Sequence, residues 1–215
     1  MNTLYIIGGS TRSGKTTILN KVIMAKPMIA VQTDAIREAI RKALIGESSV
    51  TINKLSFSGD ATFHRLSEDK DISHTKHFSQ EISQDELTWN AIAGLINYYD
   101  GKGVDLIIEG MVITPEHVKS LVLKNFKINA AFVGITEDTN LNTILEQANL
   151  NKDWIYTKIH EHGGDNSIIK QQFNEEIIKS EKIANVAKEY GFKFFPFNNN
   201  DFETYCNDVM NYLIK

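Results

Sequence analysis

The stretch that decides the fold is an octapeptide near the N-terminus, Gly9-Ser10-Thr11-Arg12-Ser13-Gly14-Lys15-Thr16. It fits the pattern G-x-x-x-x-G-K-[ST], which is typical of a loop that wraps a phosphate group. Glycine in such a loop permits positive φ angles and a close backbone approach, so that successive N–H groups point at the anion. The octapeptide therefore predicts a phosphate-binding loop.

Both flanks of the octapeptide have the pattern that such a loop requires. An apolar run from Leu4 to Ile7 predicts a buried strand before it. The apolar residues after it recur on one face of a helix, at Ile18, Leu19, Val22 and Ile23. The dipole of that helix would add to the attraction for an anion at its N-terminus.

The loop residues and the threonine after them are candidates for nucleotide binding: Gly9, Ser10, Thr11, Arg12, Ser13, Gly14, Lys15, Thr16 and Thr17. The ammonium group of Lys15 can reach the β- and γ-phosphates, and the hydroxyl of Thr16 can hold Mg²⁺. A glycine-rich turn without any ligand is the alternative. That alternative leaves the pair Lys15-Thr16 directly after Gly14 unexplained.

Strands and helices alternate along the rest of the chain. Further strands are predicted at Met28 to Val31, Val104 to Ile108, Ile128 to Ile135 and Phe192 to Phe197. Helices are predicted after a capping box at Ser83 to Glu86, after Thr114-Pro115, and from about Ser167 to Tyr190. We therefore expect an α/β fold of the three-layer P-loop NTPase type, with a five-stranded parallel sheet and helices on both faces.

Two segments interrupt this alternation within a single predicted domain over residues 1–215. Residues 46–83 are rich in Ser, Asp, Lys and His, and we expect an inserted flap that binds substrate. Arg65 is its best candidate for an anion contact, because its planar guanidinium matches a carboxylate or phosphate. Residues from about 140 to 166 are expected to form a lid.

Composition narrows the classes of partner and compartment. The net charge of the 215 residues is −4, which argues against a nucleic-acid binder. The one cysteine, Cys206, excludes an internal disulfide and a cysteine-based metal site. The chain lacks an apolar run long enough to span a bilayer, and its start lacks the basic residues of a secretion signal. We expect a cytoplasmic protein without nucleic-acid or membrane partners.

Three stretches carry a resemblance to a known family: Ile6 to Thr17, Val31 to Arg37, and Asp105 to Gly110. The chain resembles the small-molecule kinases of the nucleoside-monophosphate-kinase-like superfamily, and within it the group with 2-phosphoglycerate kinase, zeta toxins and chloramphenicol phosphotransferase. The resemblance implies that Asp34 is the base for an acceptor hydroxyl and that Arg37 clamps an acidic group of the acceptor. Alternatively, Asp34 caps the following helix and Arg37 lies on a solvated face.

A further carboxylate, Glu109, ends a nearly all-apolar predicted strand, where a charge is costly without a partner. It is a candidate for a magnesium contact or a hydrogen bond to substrate; the alternative is a strand that surfaces into a loop. The resembled kinases carry arginines in their lid, whereas this chain has no arginine after Arg65. Lysines are the candidate replacements, namely Lys152, Lys158 and Lys170.

These observations predict a kinase that uses ATP and Mg²⁺ to phosphorylate a hydroxyl of a small, anionic acceptor. The candidate catalytic residues are Lys15, Asp34 and Arg37, and the candidate metal ligands are Thr16 and Glu109. Two alternatives stay open. One is a nucleotide kinase whose acceptor is already a phosphate, and the other is a nucleotide-binding regulator or weak NTPase without a small-molecule acceptor.

Overall fold

The computed structural model describes residues 2–43, 74–151 and 167–215. Their helices and strands, in chain order, are β1 (Asn2–Gly9), α1 (Lys15–Ala25), β2 (Ile29–Gln32), α2 (Thr33–Ala43), α3 (His74–Tyr99), β3 (Leu106–Gly110), α4 (Pro115–Ser120), β4 (Phe126–Gly134), α5 (Leu141–Asn151), α6 (Ser167–Glu189), β5 (Lys193–Pro196) and α7 (Phe202–Ile214).

The five strands form one parallel sheet in the order β2-β3-β1-β4-β5. The first strand lies in the centre, where Ile7 is level with Glu109 of β3 and with Ala131 of β4. Because all strands point the same way, their carboxyl ends share one edge of the sheet, which is where ligands bind in folds of this kind. The predicted five-stranded parallel sheet is confirmed.

Two apolar clusters cover the two faces of the sheet, and the central strand contributes alternate residues to each. Tyr5 and Ile7 lie in the cluster formed with α1 and α7, whereas Leu4 and Ile6 lie in the cluster formed with α3 and α4. All four side chains are buried. A strand covered on both faces has no polar side, which is why β1 has a continuous apolar sequence. The predicted placement of helices on both faces is confirmed.

The predicted capping box at Ser83 to Glu86 is wrong, because these residues lie inside α3, which begins at His74. The spacing S-x-x-E also places two side chains as neighbours on the surface of a continuous helix, so the pattern alone does not mark a helix start. The strand ends also differ from the predictions by a few residues; β3 extends to Gly110 and therefore includes Glu109.

The apolar residues Val118, Leu121 and Val122 predict a helix after Thr114-Pro115 that reaches Val122, and the observed helix is shorter. Helix α4 ends at Ser120, and Leu121 already has an extended backbone. The next segment is held by Asp100, whose carboxylate accepts backbone hydrogen bonds of 2.8–2.9 Å from Lys124, Asn125 and Phe126. These contacts draw the chain into β4 beside the centre of the sheet.

The two segments predicted as flap and lid are described in part. Residues 74–83 of the predicted flap belong to α3, and its remaining residues, with Arg65, lie outside the described residues. Helix α5 occupies residues 141–151 of the predicted lid, and the rest, with Lys152 and Lys158, lies outside them too. In the described part of the chain, no helix has both the length and the apolarity that crossing a membrane requires.

Candidate active site

The phosphate-loop octapeptide connects β1 to α1 and has the backbone conformation that its glycines predict. Gly9 and Gly14 have φ angles of 131° and 78°, and Arg12 has a φ angle of 58°. A Cβ atom on Gly9 would lie 1.8 Å from the carbonyl oxygen of Val133, which belongs to the neighbouring strand. Glycine is therefore required at this position both for its backbone angle and for the close approach to β4.

Two serines hold the loop in shape from inside. The amide of Ser10 donates to the carbonyl of Val133 at 3.1 Å, and its hydroxyl accepts from the amide of Ile135 at 3.1 Å. The hydroxyl of Ser13 donates to the carbonyl of Ser10 at 2.7 Å. Both serine side chains are buried. Their side chains thus support the loop from behind.

An aromatic residue of the last helix completes this support. The hydroxyl of Tyr205 donates to the carbonyl of Ser13 at 2.9 Å. Burial raises the pKa of Tyr205, so the hydroxyl remains a donor at all physiological pH values. The ring of Phe202 lies next to Gly14, where an added Cβ would come within 2.8 Å of it. Helix α7 therefore packs directly against the loop.

Lys15 lies inside the loop with 8% of its surface exposed. Its ammonium group donates to the carbonyl of Ser10 at 2.5 Å. Burial lowers the pKa of Lys15, and the negative charges of Glu109, Glu176 and Asp34 partly oppose that shift. Lys15 is thus a buried basic side chain whose charged form is favoured by three carboxylates.

Glu109 is 5% exposed, so the alternative in which its strand surfaces into solvent is wrong. Its Oε1 atom accepts two hydrogen bonds of 3.0 Å, one from the hydroxyl of Thr16 and one from the side-chain amide of Gln32. The three residues come from β3, α1 and β2, which are adjacent at the carboxyl edge of the sheet. The sheet order therefore brings the two predicted metal ligands together.

The donor set at this position fits Mg²⁺. A hydroxyl and a carboxylate are hard oxygen ligands, and Mg²⁺ in nucleotide sites keeps several waters and shares the phosphate oxygens. Over residues 2–43, 74–151 and 167–215, no cluster of three or more His, Cys, Asp or Glu residues could hold a metal ion by itself. Thr16 and Glu109 would thus hold the ion together with a bound nucleotide.

Asp34 is the second residue of α2, directly after the carboxyl end of β2. Its side chain is 73% exposed and forms an ion pair of 2.7 Å with Arg37, whose side chain is 13% exposed. The alternative in which Arg37 lies on a solvated face is therefore wrong. Asp34 belongs to the first turn of the helix, which begins at Thr33, and so does not occupy the cap position before the helix.

One open cavity of about 370 Å³ joins these groups at the carboxyl edge of the sheet. Its walls are formed by Thr11, Arg12, Gly14, Lys15, Thr16, Thr17, Thr33, Asp34, Glu109, Gly110 and Met111. Eight of the predicted site residues thus line the cavity, and Asp34 and Glu109 are among them. Gly9, Ser10 and Ser13 lie behind its wall, and Arg37 reaches it through Asp34.

Three residues at the site escaped sequence analysis: Gln32, Glu176 and Lys179. The Oε2 atom of Glu176 accepts from the amide of Thr11 at 3.0 Å, and Lys179 lies 3.2 Å from its Oε1 atom. Glu176 and Lys179 lie in no motif, and Glu176 is 165 residues from Thr11. Gln32 lies within the stretch Val31 to Arg37, but its contact with Glu109 depends on the pairing of β2 with β3. Lys170, predicted as a replacement for lid arginines, is exposed near the start of α6.

Comparisons with known proteins show what this fold is similar to. No protein-family model and no curated protein matches the chain. A sugar kinase from Janibacter sp. HTCC2649, solved unliganded, is 13% identical, with 99% of this chain and 95% of that chain covered and a TM-score of 0.54. Shikimate kinase from Acinetobacter baumannii, solved with shikimate, is 9% identical, with 98% and 92% covered and a TM-score of 0.50. These similarities show the fold alone, which is an α/β fold built on a five-stranded parallel sheet.

Proposed function

We propose that this chain is a kinase that uses ATP and Mg²⁺ to phosphorylate a hydroxyl group of a small, anionic acceptor. One observation carries the proposal. A single cavity is lined by the phosphate-loop lysine, by the Thr16–Glu109 pair and by the exposed carboxylate of Asp34. These are the groups that phosphoryl transfer needs, namely a cradle for the phosphates, oxygen ligands for the metal and a base for the acceptor.

The loop binds the phosphates through its backbone and its charges. One part of the cavity wall is formed by the N-terminus of α1 and by the cations Arg12 and Lys15. Backbone amides and positive charges of this kind attract phosphate groups. Mg²⁺, when bound at Thr16 and Glu109, would neutralise part of the negative charge of the phosphates. Because Lys15 is buried, its attraction for a phosphate oxygen is screened little by solvent.

Asp34 is proposed to accept the proton of the acceptor hydroxyl as that oxygen attacks the γ-phosphate. The ion pair of 2.7 Å with Arg37 supports this role, because it holds the carboxylate of Asp34 in a defined position at the cavity wall. The planar fork of Arg37 also matches a carboxylate or phosphate group on the acceptor. The resemblance of residues 31–37 to 2-phosphoglycerate kinase, zeta toxins and chloramphenicol phosphotransferase supports a hydroxyl acceptor over a phosphate.

The proposal is tested by following labelled γ-phosphate from ATP into sugars, hydroxy acids and nucleosides. The wild-type chain is expected to phosphorylate a member of one of these classes. Lys15→Ala should abolish transfer while circular dichroism and the melting temperature show a folded protein. A Lys15→Ala variant that transfers phosphate at the wild-type rate would refute the proposal.

A conservative change at Asp34 separates the hydroxyl acceptor from the phosphate acceptor of a nucleotide kinase. Asp34→Asn keeps the size of the side chain and removes the base. Turnover should fall by a factor of about 10² to 10⁴ if the acceptor is a hydroxyl, which is the usual contribution of a positioned base. A loss smaller than about threefold would favour a phosphate acceptor, because a phosphate oxygen needs no base.

A weak NTPase or nucleotide-binding regulator is the second candidate, and one observation favours it. The four arginines of the chain are Arg12, Arg37, Arg41 and Arg65, so the lid region has no guanidinium to contact the γ-phosphate. Release of free phosphate without any phosphorylated product across the acceptor panel would support this candidate.

A further inference from the structure

A carboxylate from α6, in the C-terminal part of the chain, forms a hydrogen bond with the phosphate loop. Glu176 of α6 is 6% exposed, and its Oε2 atom accepts the amide hydrogen of Thr11 at 3.0 Å. Thr11 lines the cavity in which the phosphates are proposed to bind. A buried carboxylate beside a phosphate site is unexpected, because two anions repel each other strongly where water is excluded.

Glu176 is held in place by the packing of its helix. The hydroxyl of Ser180 donates to the carbonyl of Glu176 at 2.7 Å, and Ser180 itself packs against β4. An added Cβ on Gly134 would lie 2.6 Å from the Ser180 hydroxyl oxygen, so the helix approaches the strand closely. Phe173, one turn earlier, is buried in the core. The position of the carboxylate is therefore set by the fold and not by the loop.

The two oxygens of this carboxylate have separate partners. Oε2 accepts from the loop amide, and Oε1 lies 3.2 Å from the ammonium nitrogen of Lys179, one turn further along α6. Lys179 is half-exposed, so its ammonium group is partly solvated while it neutralises a buried charge. Glu176 can therefore accept a hydrogen bond as a carboxylate does, while the charge of Lys179 compensates its own negative charge.

We propose that Glu176 is a positioning residue of the phosphate loop, and that Lys179 is the counter-ion that lets this carboxylate remain beside bound phosphates. The inference rests on the proposed function only in that the loop binds a nucleotide. Glu176 joins Thr11 to α6, so that the loop cannot shift without breaking a hydrogen bond to a charged acceptor. Lys179 keeps the negative charge of Glu176 from opposing the nucleotide.

The first experiment measures the contact itself in the nucleotide-free protein. Hydrogen exchange of the Thr11 amide, followed by NMR, should be about tenfold faster in Glu176→Ala, since a hydrogen bond to a charged group is lost. Glu176→Gln keeps a side-chain carbonyl in place and should retain most of the protection. Glu181→Ala, on the exposed side of the same helix, is the matched control. Wild-type exchange of the Thr11 amide in folded Glu176→Ala would overturn the proposal.

The second experiment measures the charge compensation through nucleotide affinity and does not depend on Glu176→Ala being folded. Titration calorimetry with Mg²⁺ and a non-hydrolysable ATP analogue should show affinity about tenfold weaker for Lys179→Met, because the carboxylate next to the loop then loses its directly paired cation. The double variant Glu176→Gln with Lys179→Met should bind within about threefold of wild type. Wild-type affinity in Lys179→Met, or no recovery in the double variant, would contradict the inference.

The two experiments also separate this inference from the proposed function. A wild-type chain that binds no nucleotide would remove the proposed kinase activity and the role of Lys179. The exchange rate of the Thr11 amide would still report whether Glu176 positions the loop. Normal nucleotide binding with normal exchange in Glu176→Ala would remove the inference and leave the kinase proposal standing.

Discussion

The hydroxyl of Thr16 donates to Glu109 Oε1 at 3.0 Å across 93 residues of sequence. The contact depends on the pairing of β1 with β3, which sets Glu109 level with Ile7, two residues before the loop begins. These two oxygens would supply two of the six ligands of an octahedral Mg²⁺, and waters and phosphate oxygens would supply the others.

The first prediction concerns this pair. Glu109→Gln keeps an oxygen that can accept from Thr16 but removes the charge that attracts a divalent cation. The Mg²⁺-dependent gain in nucleotide affinity, measured by calorimetry with and without a chelator, should fall about tenfold. Glu137→Gln, an exposed change outside the cavity, should leave the gain unaltered. Wild-type Mg²⁺ dependence in Glu109→Gln would mean that Glu109 does not serve the metal.

The second prediction concerns the support of the loop by α7. Tyr205→Phe removes the hydroxyl that donates to the carbonyl of Ser13 and leaves that carbonyl without this partner. The free energy of unfolding should fall by about 1 kcal/mol, the usual net value of such a hydrogen bond. Chemical denaturation measures the change. Tyr98→Phe removes a hydroxyl from an exposed ring and should change stability by less than about 0.5 kcal/mol.

Two stacked rings, those of His117 and Trp89, lie on the other face of the sheet. His117 lies parallel to Trp89, with ring centroids 4.4 Å apart, and its Nδ1 donates to the carbonyl of Val112 at 2.8 Å. Burial lowers the pKa of His117, although the carbonyl of Val112 and the charge of Glu116 oppose that shift. The folded state therefore favours the neutral ring more than the unfolded state does.

The third prediction follows from this direction. The stabilising effect is complete above the unfolded pKa of about 6.5 and is lost as the pH falls below it, because the unfolded chain then binds the proton more readily. Below pH 6.5 the free energy of unfolding should fall more steeply in the wild type than in His117→Asn, by up to about 1.4 kcal/mol per pH unit. Asn offers an N–H to the same carbonyl but does not titrate. Denaturation curves of equal pH dependence in both proteins would contradict this prediction.

The fourth prediction concerns Cys206, which is fully buried in the cluster between α7 and the sheet. Burial raises the pKa of its thiol to about 11. At pH 8 the folded protein should react with iodoacetamide at least about 100-fold more slowly than the urea-unfolded chain, because the thiolate is the reactive form. Mass spectrometry after timed quenching measures both rates. Rapid alkylation of the folded protein would show that the α7 packing opens.

Sequence analysis predicted those features whose causes are local. The conformation of the phosphate loop follows from its own glycines, and the five strands follow from short apolar runs that both faces of the sheet cover. Prediction failed where distant contacts decide. Asp100 binds the backbone of residues 124–126 and directs the chain into β4, soon after α4 ends at Ser120. The spacing of Ser83 and Glu86 occurs both inside a helix and at its start, so it does not identify a helix start.

The amino-acid sequence by itself determined the loop, the lysine and threonine that follow it, and the alternation of strands and helices, because each depends on neighbours within a few residues. Only the tertiary structure decided which carboxylates meet that loop. Glu109 reaches Thr16 through the strand order, and Glu176 reaches Thr11 through the packing of α6 on β4. Such partners are separated by 93 and 165 residues, and their choice rests on register and helix packing, which no spacing in the chain encodes locally.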